Sequence, residues 1–201
     1  MLDASIRRVL DGPLRTVGAK LDSFGVTADG LTVAGLALGV GACAAVASGN
    51  WFVGLGLWLL NRLADGLDGP TARSRPEAVR ASDIGGFFDI MADFAVYGGL
   101  LVAIGLAEPD ARMAALVVFL AYYLSGSAFL AWSSLAAARK VQGDGRSLHF
   151  PAGLAEGTET ILAYVVILAW RDQATLLLWI WAAIVGVTVV QRLVFIRGEL
   201  R

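Results

Sequence analysis

Four aspartates lie close together in a chain that is otherwise strongly apolar: Asp65, Asp68, Asp89 and Asp93. The members of the first pair are three residues apart and those of the second pair four, so each pair lies on one face of a helix. Ionised carboxylates that meet in apolar surroundings repel one another, and a bound cation removes that repulsion. Oxygen ligands without histidine or cysteine favour hard ions, so the cluster predicts a site for Mg²⁺ or Mn²⁺.

Four carboxylates can hold two ions, and two ions indicate a particular chemistry. Ions that lie roughly 3.5–4 Å apart can bind the oxygens of a phosphoryl group during its transfer. Gly66 and Gly69 follow the first two aspartates, although a helix favours alanine over glycine by about 1 kcal/mol at each position. Missing side chains beside a metal site leave room for a bulky group such as a nucleotide. Ordinary helix packing is the alternative for each glycine taken alone.

The rest of the chain is typical of an integral membrane protein. Of its 201 residues, 57% are hydrophobic and 16% are charged, and the mean hydropathy is +0.69. Soluble domains carry about a quarter charged residues. A helix needs roughly 20 apolar residues to cross a bilayer, and several runs are that long. Cys43 is the single cysteine, so we expect no disulfide framework and assign it to helix packing.

The apolar runs predict an all-α membrane protein with six transmembrane helices. The predicted spans cover residues 31–48, 51–73, 83–106, 113–137, 152–170 and 174–196. Short connections make neighbouring helices antiparallel, and the glycines and alanines of the first span allow close helix approach. We expect a single domain over residues 1–201, with the six-helix bundle over residues 29–197.

Residues 1–25 have a different pattern. Apolar residues recur there at helical spacing: Ile6, Leu10, Leu14, Val17 and Leu21. The basic residues Arg7, Arg8, Arg15 and Lys20 lie between them. Pro13 interrupts the pattern once. The pattern predicts an amphipathic helix at the membrane surface; a solvent-facing helix packed on the bundle is the alternative. We do not expect a signal peptide, because a continuous apolar stretch and a small-residue cleavage site are missing.

Basic residues predict the orientation of the chain. They are concentrated before the first span, in the loops after the second and fourth spans and at the end of the chain, whereas the opposite side has Arg112 and Arg171. By the positive-inside rule both termini are cytoplasmic, as expected for a protein of the inner or cytoplasmic membrane. The aspartates then lie at the cytoplasmic ends of the second and third spans.

The aspartates belong to a longer motif. Residues 65–93 have the form D-x2-D-G-x2-A-R-x11-G-x3-D-x3-D, in which Ala72, Arg73 and Gly85 fill the remaining positions. This motif resembles the signature of the CDP-alcohol phosphatidyltransferase family (class I, integral membrane). The resemblance implies a six-helix membrane fold, usually a homodimer, with a metal site that opens to the cytoplasm. It also implies transfer of a phosphatidyl-type group from a CDP-linked lipid such as CDP-diacylglycerol to an alcohol, with release of CMP.

The resemblance further implies roles for individual residues. Asp65, Asp68 and Asp89 would be shared metal ligands, and Asp93 would complete the second ion and act as the candidate general base. The wall that holds the cytidine diphosphate would comprise Gly66, Gly69, Ala72 and Arg73. The family often has Pro-Asn at the start of the first span, where this chain offers Asp29 and Thr32 as donor contacts. Alternatively, Asp29 would be the N-cap of the first span.

The acceptor is indicated by weaker features. A basic loop could bind a phosphorylated acceptor, such as glycerol phosphate or inositol phosphate, through Arg139, Lys140 and Arg146. Positive-inside topology alone also explains this loop. Near the start of the fifth span, Glu156 and Glu159 could bind hydroxyls or a cationic head group, or pair with Arg146 or Arg192. His149 is expected to be a loop residue.

Other functions are open at this point. Within the family, the alternatives are another CDP-linked donor or an unphosphorylated acceptor such as serine, inositol or choline. Outside it, a divalent-cation transporter or a non-catalytic membrane scaffold would also hold buried aspartates. A transporter needs polar groups through the full bilayer depth or two matching halves with broken helices, whereas these carboxylates are clustered at one end. We expect membrane lipid, and no nucleic acid, as a partner.

Overall fold

The computed structural model describes residues 2–73, 83–139 and 153–200, and these residues are almost entirely helical. The helices are α1 (Leu2–Ser23), α2 (Ala28–Ala47), α3 (Trp51–Arg73), α4 (Asp83–Ala107), α5 (Arg112–Ala138), α6 (Gly157–Ala169) and α7 (Ala174–Glu199). Short 3₁₀ turns at Pro109–Ala111 and Arg171–Gln173 precede α5 and α7. The all-α prediction is confirmed, since no strand occurs in the ranges that the structure describes.

The chain divides into two compact units. The first unit is Ala4–Pro109, with α1 to α4, and the second is Asp110–Arg201 together with Met1–Asp3, with α5 to α7. The expectation of a single domain stays a prediction.

Four of the described helical segments are long and apolar enough to cross a membrane: Ala28–Ala47, Gly85–Ala107, Pro109–Ala138 and Arg171–Glu199. Two predicted spans are less apolar or shorter. Every stretch of α3 long enough to cross a membrane contains Arg62, Asp65 and Asp68. Helix α6 has only 13 residues. The fifth span was predicted from residue 152, but the helix begins at Gly157. Glu156 is extended there, and its Oε1 accepts a hydrogen bond from the Gly153 N–H at 3.2 Å, which closes a turn before the helix.

In the first unit, α2 packs against both α3 and α4. Gly35 and Gly39 are buried on α2, and a Cβ added to Gly39 would overlap the Val96 side chain of α4. The small residues of α2 therefore permit the close approach predicted for them. Trp58 of α3 and Leu100 of α4 are fully buried in the core of this unit.

Helix α1 continues through Pro13 and lies on the end of α3 where the first aspartate pair is found. Gly18 is buried, and a Cβ there would lie 2.9 Å from backbone atoms of Pro70 and Thr71. The chain then turns at Gly25, whose φ of +79° suits glycine at a helix C-terminus. The location of α1 at a membrane surface stays a prediction.

In the second unit, α7 packs against α5 and α6. Tyr164 of α6 and Leu178 of α7 are fully buried, and Trp181 Nε1 donates a hydrogen bond to Tyr122 Oη at 2.6 Å.

Candidate metal centre

Three of the four aspartates converge. One carboxylate oxygen from each of Asp65, Asp68 and Asp89 lies within 4.8 Å of the other two, and all three residues are half-buried. The first two side chains come from one face of α3, and the third comes from the adjacent helix α4. Oxygens around a six-coordinate Mg²⁺ are at most about 4.2 Å apart, so small side-chain rotations would place all three in one shell. We call these residues the aspartate trio.

Asp68 is held by two neighbouring groups. The backbone N–H of Gly69 donates to its Oδ1, and Thr32 Oγ1 of α2 lies 3.1 Å from its Oδ2. The same hydroxyl lies 3.1 Å from the carbonyl oxygen of Ala28. Thr32, predicted as a donor contact, therefore lies against a carboxylate of the trio. Groups that support metal-binding carboxylates in this way typically matter for metal affinity.

Asp29 does not cap α2. The N-cap is Thr27, whose Oγ1 accepts a hydrogen bond from the Gly30 N–H at 3.0 Å. The alternative role of Asp29 as an N-cap is therefore wrong. Asp29 lies exposed in the first helical turn, and its contact with the donor stays a prediction.

Asp93 is paired with an arginine instead of joining the aspartate trio. Arg62 Nη1 donates to Asp93 Oδ1 at 2.7 Å and lies 3.4 Å from Asp65 Oδ2. The Arg62 side chain is only 6% exposed. A charge-assisted bond of this length in buried surroundings is a strong one.

Arg62 is itself fixed by neighbours on α3 and α4, one of which is bonded to α2. Its Nε donates to Asn61 Oδ1 at 2.8 Å, and Asn61 Nδ2 donates to the carbonyl oxygen of Gly35 at 2.8 Å. The guanidinium carbon lies 4.8 Å and 4.9 Å from the ring centres of Trp58 and Tyr97, and Nη1 lies 3.0 Å from Tyr97 Oη. Neither the motif nor the apolar pattern of the sequence indicated these residues.

Two glycines of the motif, Gly66 and Gly85, lie in different surroundings. A Cβ added to Gly66 would meet no atom within 4 Å, so the position faces open space. This space suits the bulky group that the sequence predicted. The side chains of Ala72 and Arg73 lie outside the described residues, and Gly85 is half-buried in the first turn of α4. The roles of these residues in donor binding stay predictions.

The predicted acceptor residues belong to the second unit. Arg139 is exposed at the end of α5, and its Nη1 lies 3.4 Å from the carbonyl oxygen of Glu199. Glu156 precedes α6, and Glu159 lies in the first turn of that helix. Arg192 Nη1 donates to Ser125 Oγ at 2.7 Å. Lys140, Arg146 and His149 lie outside the described residues.

Long apolar helices that bring three carboxylates together beside the open face of Gly66 are typical of a membrane protein that uses a divalent ion. The profile of the CDP-alcohol phosphatidyltransferase family matches residues 25–190. The inner membrane protein YnjF of Escherichia coli (strain K12) is 39% identical over 170 residues, which are 83% of this chain and 81% of YnjF. The chain belongs to the CDP-alcohol phosphatidyltransferase family, and the resemblance of its motif is confirmed.

Solved structures share the fold. The phosphatidylinositol phosphate synthase PgsA1 of Mycobacterium tuberculosis with CDP-DAG bound has a TM-score of 0.70 and 21% identity, over 91% of this chain and 92% of that chain. The structure of PgsA1 with manganese and citrate has a TM-score of 0.69 and 21% identity, over 92% and 88% of the two chains. Membership of the family makes the protein an integral membrane transferase of phospholipid biosynthesis that uses a CDP-alcohol.

Proposed function

We propose that the protein transfers a phosphatidyl group from CDP-diacylglycerol to an alcohol acceptor and releases CMP. The observation that carries this proposal is the aspartate trio beside the open face of Gly66. The trio can bind a hard ion, and the open face gives a nucleotide access to the backbone. PgsA1, which shares the fold, has a structure with CDP-DAG bound, which supports this donor over another CDP-linked alcohol.

The aspartate trio would hold Mg²⁺ or Mn²⁺. An ion held there would supply positive charge for the donor diphosphate and the leaving CMP. The Gly69 N–H and the Thr32 hydroxyl orient Asp68 for this binding. The sequence predicted two ions, of which the second needs the carboxylate of Asp93. That carboxylate accepts a hydrogen bond from Arg62.

Asp93 is our candidate for the general base. It would take the proton from the acceptor hydroxyl while that oxygen forms a bond to the phosphorus and the bond from phosphorus to CMP breaks. Its position next to the trio, on the same face of α4 as Asp89, supports this role.

The favoured acceptor is a phosphorylated alcohol such as glycerol phosphate or inositol phosphate. The exposed Arg139 and the basic residues Lys140 and Arg146 would bind its phosphate. PgsA1 carries the name of a phosphatidylinositol phosphate synthase. An unphosphorylated acceptor, bound through Glu156 and Glu159, is the second candidate.

The proposed membrane arrangement has six spans, with α3 and α6 joining the four apolar segments. Both termini and the metal centre would face the cytoplasm, α1 would lie at the interface, and the protein would be a homodimer. The basic residues on one side of the predicted topology support the orientation. The packing of Gly18 on the end of α3 supports an α1 that lies beside the metal centre.

Activity should depend on a divalent ion. We expect the purified protein to release CMP from CDP-diacylglycerol with one or more acceptors: glycerol phosphate, inositol phosphate, inositol, serine and choline. Release should stop after chelation and return with Mg²⁺ or Mn²⁺, because the trio needs an ion to bind the diphosphate. Equal activity after exhaustive chelation would exclude the metal mechanism, and ion flux without CMP release in proteoliposomes would favour a transporter.

The open face of Gly66 gives a prediction for donor binding. Gly66→Leu should lower the affinity for CDP-diacylglycerol by at least about tenfold, because the new side chain occupies the space assigned to the nucleotide. Folding should be retained, since leucine is the better helix former. Gly56→Leu is the matched control: Gly56 also lies on α3 with no atom within 4 Å of an added Cβ. Equal donor affinity in both variants would place the nucleotide elsewhere.

A further inference from the structure

Helix α6 is short for a helix that crosses a membrane. Its 13 residues extend about 20 Å, whereas the apolar core of a bilayer is about 30 Å thick. The chain just before it, Gly153–Glu156, is not helical, and we call this segment the α6 turn. The α6 turn contacts α7 at Thr188, which lies about 16 Å before Glu199, the last residue of that helix. The turn therefore lies beside the apolar length of α7 and not at its end.

One face of α7 holds the α6 turn. Gln191 and Arg192 follow Thr188 by three and four residues, so the three side chains lie on the same face. The Ala155 N–H donates a hydrogen bond to Thr188 Oγ1 at 2.8 Å. The Leu154 N–H donates to Gln191 Oε1 at 3.1 Å. Non-helical backbone beside an apolar span needs partners for its N–H groups, and α7 supplies them.

The contact between the α6 turn and α7 is close. Thr188 is fully buried, and a Cβ added to Gly153 would overlap its Cγ2 atom. The same Cβ would lie 3.7 Å from Arg192 Nε. Because Arg192 Nη1 donates to Ser125 Oγ at 2.7 Å, the face of α7 that holds the turn is also linked to α5.

Glu156 is the last residue of the α6 turn, so its position depends on that turn. Its Oε1 accepts a hydrogen bond from the Gly153 N–H at 3.2 Å. Its carbonyl oxygen accepts bonds from Thr160 Oγ1 at 2.8 Å and from the Thr160 N–H at 2.9 Å. Glu156 is half-buried where α6 begins. Glycerol phosphate, inositol phosphate, inositol, serine and choline all carry hydroxyl groups, and a carboxylate accepts hydrogen bonds from hydroxyls.

We propose that Thr188 is a positioning residue for the acceptor: through the α6 turn it holds the Glu156 carboxylate where it binds a hydroxyl group of the acceptor. This inference rests on the proposed function, because it assigns Glu156 to the acceptor. Thr188 itself does not touch the acceptor, since its hydroxyl is buried and bonded to the Ala155 N–H and to the Ile184 carbonyl oxygen. Its loss should therefore weaken acceptor binding without changing donor or metal binding.

The test is the KM for the acceptor. The full-length protein in detergent is assayed by CMP release from CDP-diacylglycerol, with the one of these five acceptors that gives the highest rate. Thr188→Val keeps the shape of the side chain but removes the partner of the Ala155 N–H. The acceptor KM should rise about tenfold, which is the scale of one buried hydrogen bond. The donor KM and the Mn²⁺ affinity should be unchanged, and Thr188→Ser, which keeps the hydroxyl, should restore the acceptor KM.

Two further variants support the measurement. Thr175→Val is the matched control, because Thr175 is half-buried near the start of α7, far along the helix from the α6 turn, and it should leave the acceptor KM unchanged. Gln191→Leu removes the partner of the Leu154 N–H from an exposed position, so folding should be retained. Its acceptor KM should rise about threefold, because this hydrogen bond is exposed and weaker.

A double variant separates positioning from a general loosening of the second unit. Glu156→Gln should itself raise the acceptor KM, and Thr188→Val added to it should cause no further rise, because Thr188 acts through Glu156. An unaltered acceptor KM in Thr188→Val or Gln191→Leu, or additive effects in the double variant, would overturn the inference and leave the proposed transferase intact. Absence of CMP release with all five acceptors would overturn the proposed function and the inference together.

Discussion

Replacing Asp68 by asparagine should abolish tight Mn²⁺ binding and lower the rate of CMP release by about 10³-fold or more. The variant loses one of three carboxylates in the trio while keeping the shape of the side chain. Charge stabilisation by a bound metal ion contributes several kcal/mol to such a reaction, and each 1.36 kcal/mol changes the rate tenfold. Mn²⁺ titration and the rate of CMP release from CDP-diacylglycerol measure the two effects separately.

Two controls separate this effect from general damage to the helix. Thr32→Val removes the hydroxyl next to Asp68 but leaves the carboxylate, so metal affinity should fall only about 10–100-fold. Asp172→Asn alters an aspartate that is 88% exposed in the turn before α7 and should leave both measurements unchanged. If Asp68→Asn binds Mn²⁺ as tightly as the unaltered protein, the ion is bound elsewhere.

The helices could be predicted from the sequence because long apolar runs are separated by short polar turns. Helix α3 has the bounds predicted for the second span, since it begins after the turn at Gly49, whose φ is +83°. The start of α6 was predicted too early. No periodic apolar pattern marks residues 153–156. The turn there is held by hydrogen bonds from Gly153 N–H to Glu156 and from Ala155 N–H to Thr188 of α7, which local sequence does not reveal.

The aspartate trio follows from local spacing, whereas the pairing of Asp93 does not. A spacing of three residues places Asp65 and Asp68 on one face of α3. The chain between α3 and α4 is short, so the face of α4 that carries Asp89 can lie next to them. The bond between Arg62 and Asp93 joins residues 31 positions apart and depends on how α3 and α4 are rotated against each other. A signal was nevertheless present: Arg62 precedes Asp65 by three residues in an apolar helix, where charged side chains usually face the protein interior.

The charged residues of α3 also explain the low hydropathy of this helix, which we propose as the second span. Arg62 donates to Asp93 and Tyr97 of α4, and Asp68 accepts from Thr32 of α2. Asp65 contacts Arg62 within α3. The charge of Arg62 is paired inside the protein, so composition alone underestimates how well α3 would fit a membrane. The residues of the candidate metal centre are therefore the ones that lower the hydropathy of α3.

Asp93→Asn should lower turnover by ~10²–10⁴-fold, the usual contribution of general acid–base catalysis. The asparagine oxygen can still accept the hydrogen bond from Arg62, so the guanidinium keeps its position, whereas the amide cannot take a proton from the acceptor. Mn²⁺ affinity and donor affinity should change far less, because the trio is intact. Single-turnover CMP release gives the rate, and Mn²⁺ titration and CDP-diacylglycerol binding give the affinities.

Comparison with Asp65→Asn shows whether Asp93 acts as a general base or as a metal ligand. Asp65 belongs to the trio, so its replacement should weaken metal and donor binding together, while Asp93→Asn should affect the rate alone. A collapse of CDP-diacylglycerol affinity to the same extent in both variants would identify Asp93 as an ordinary metal ligand, and the proton acceptor would then be another group. A rate close to that of the unaltered protein would likewise exclude Asp93 as the base, because an amide at this position has no means of removing the acceptor proton.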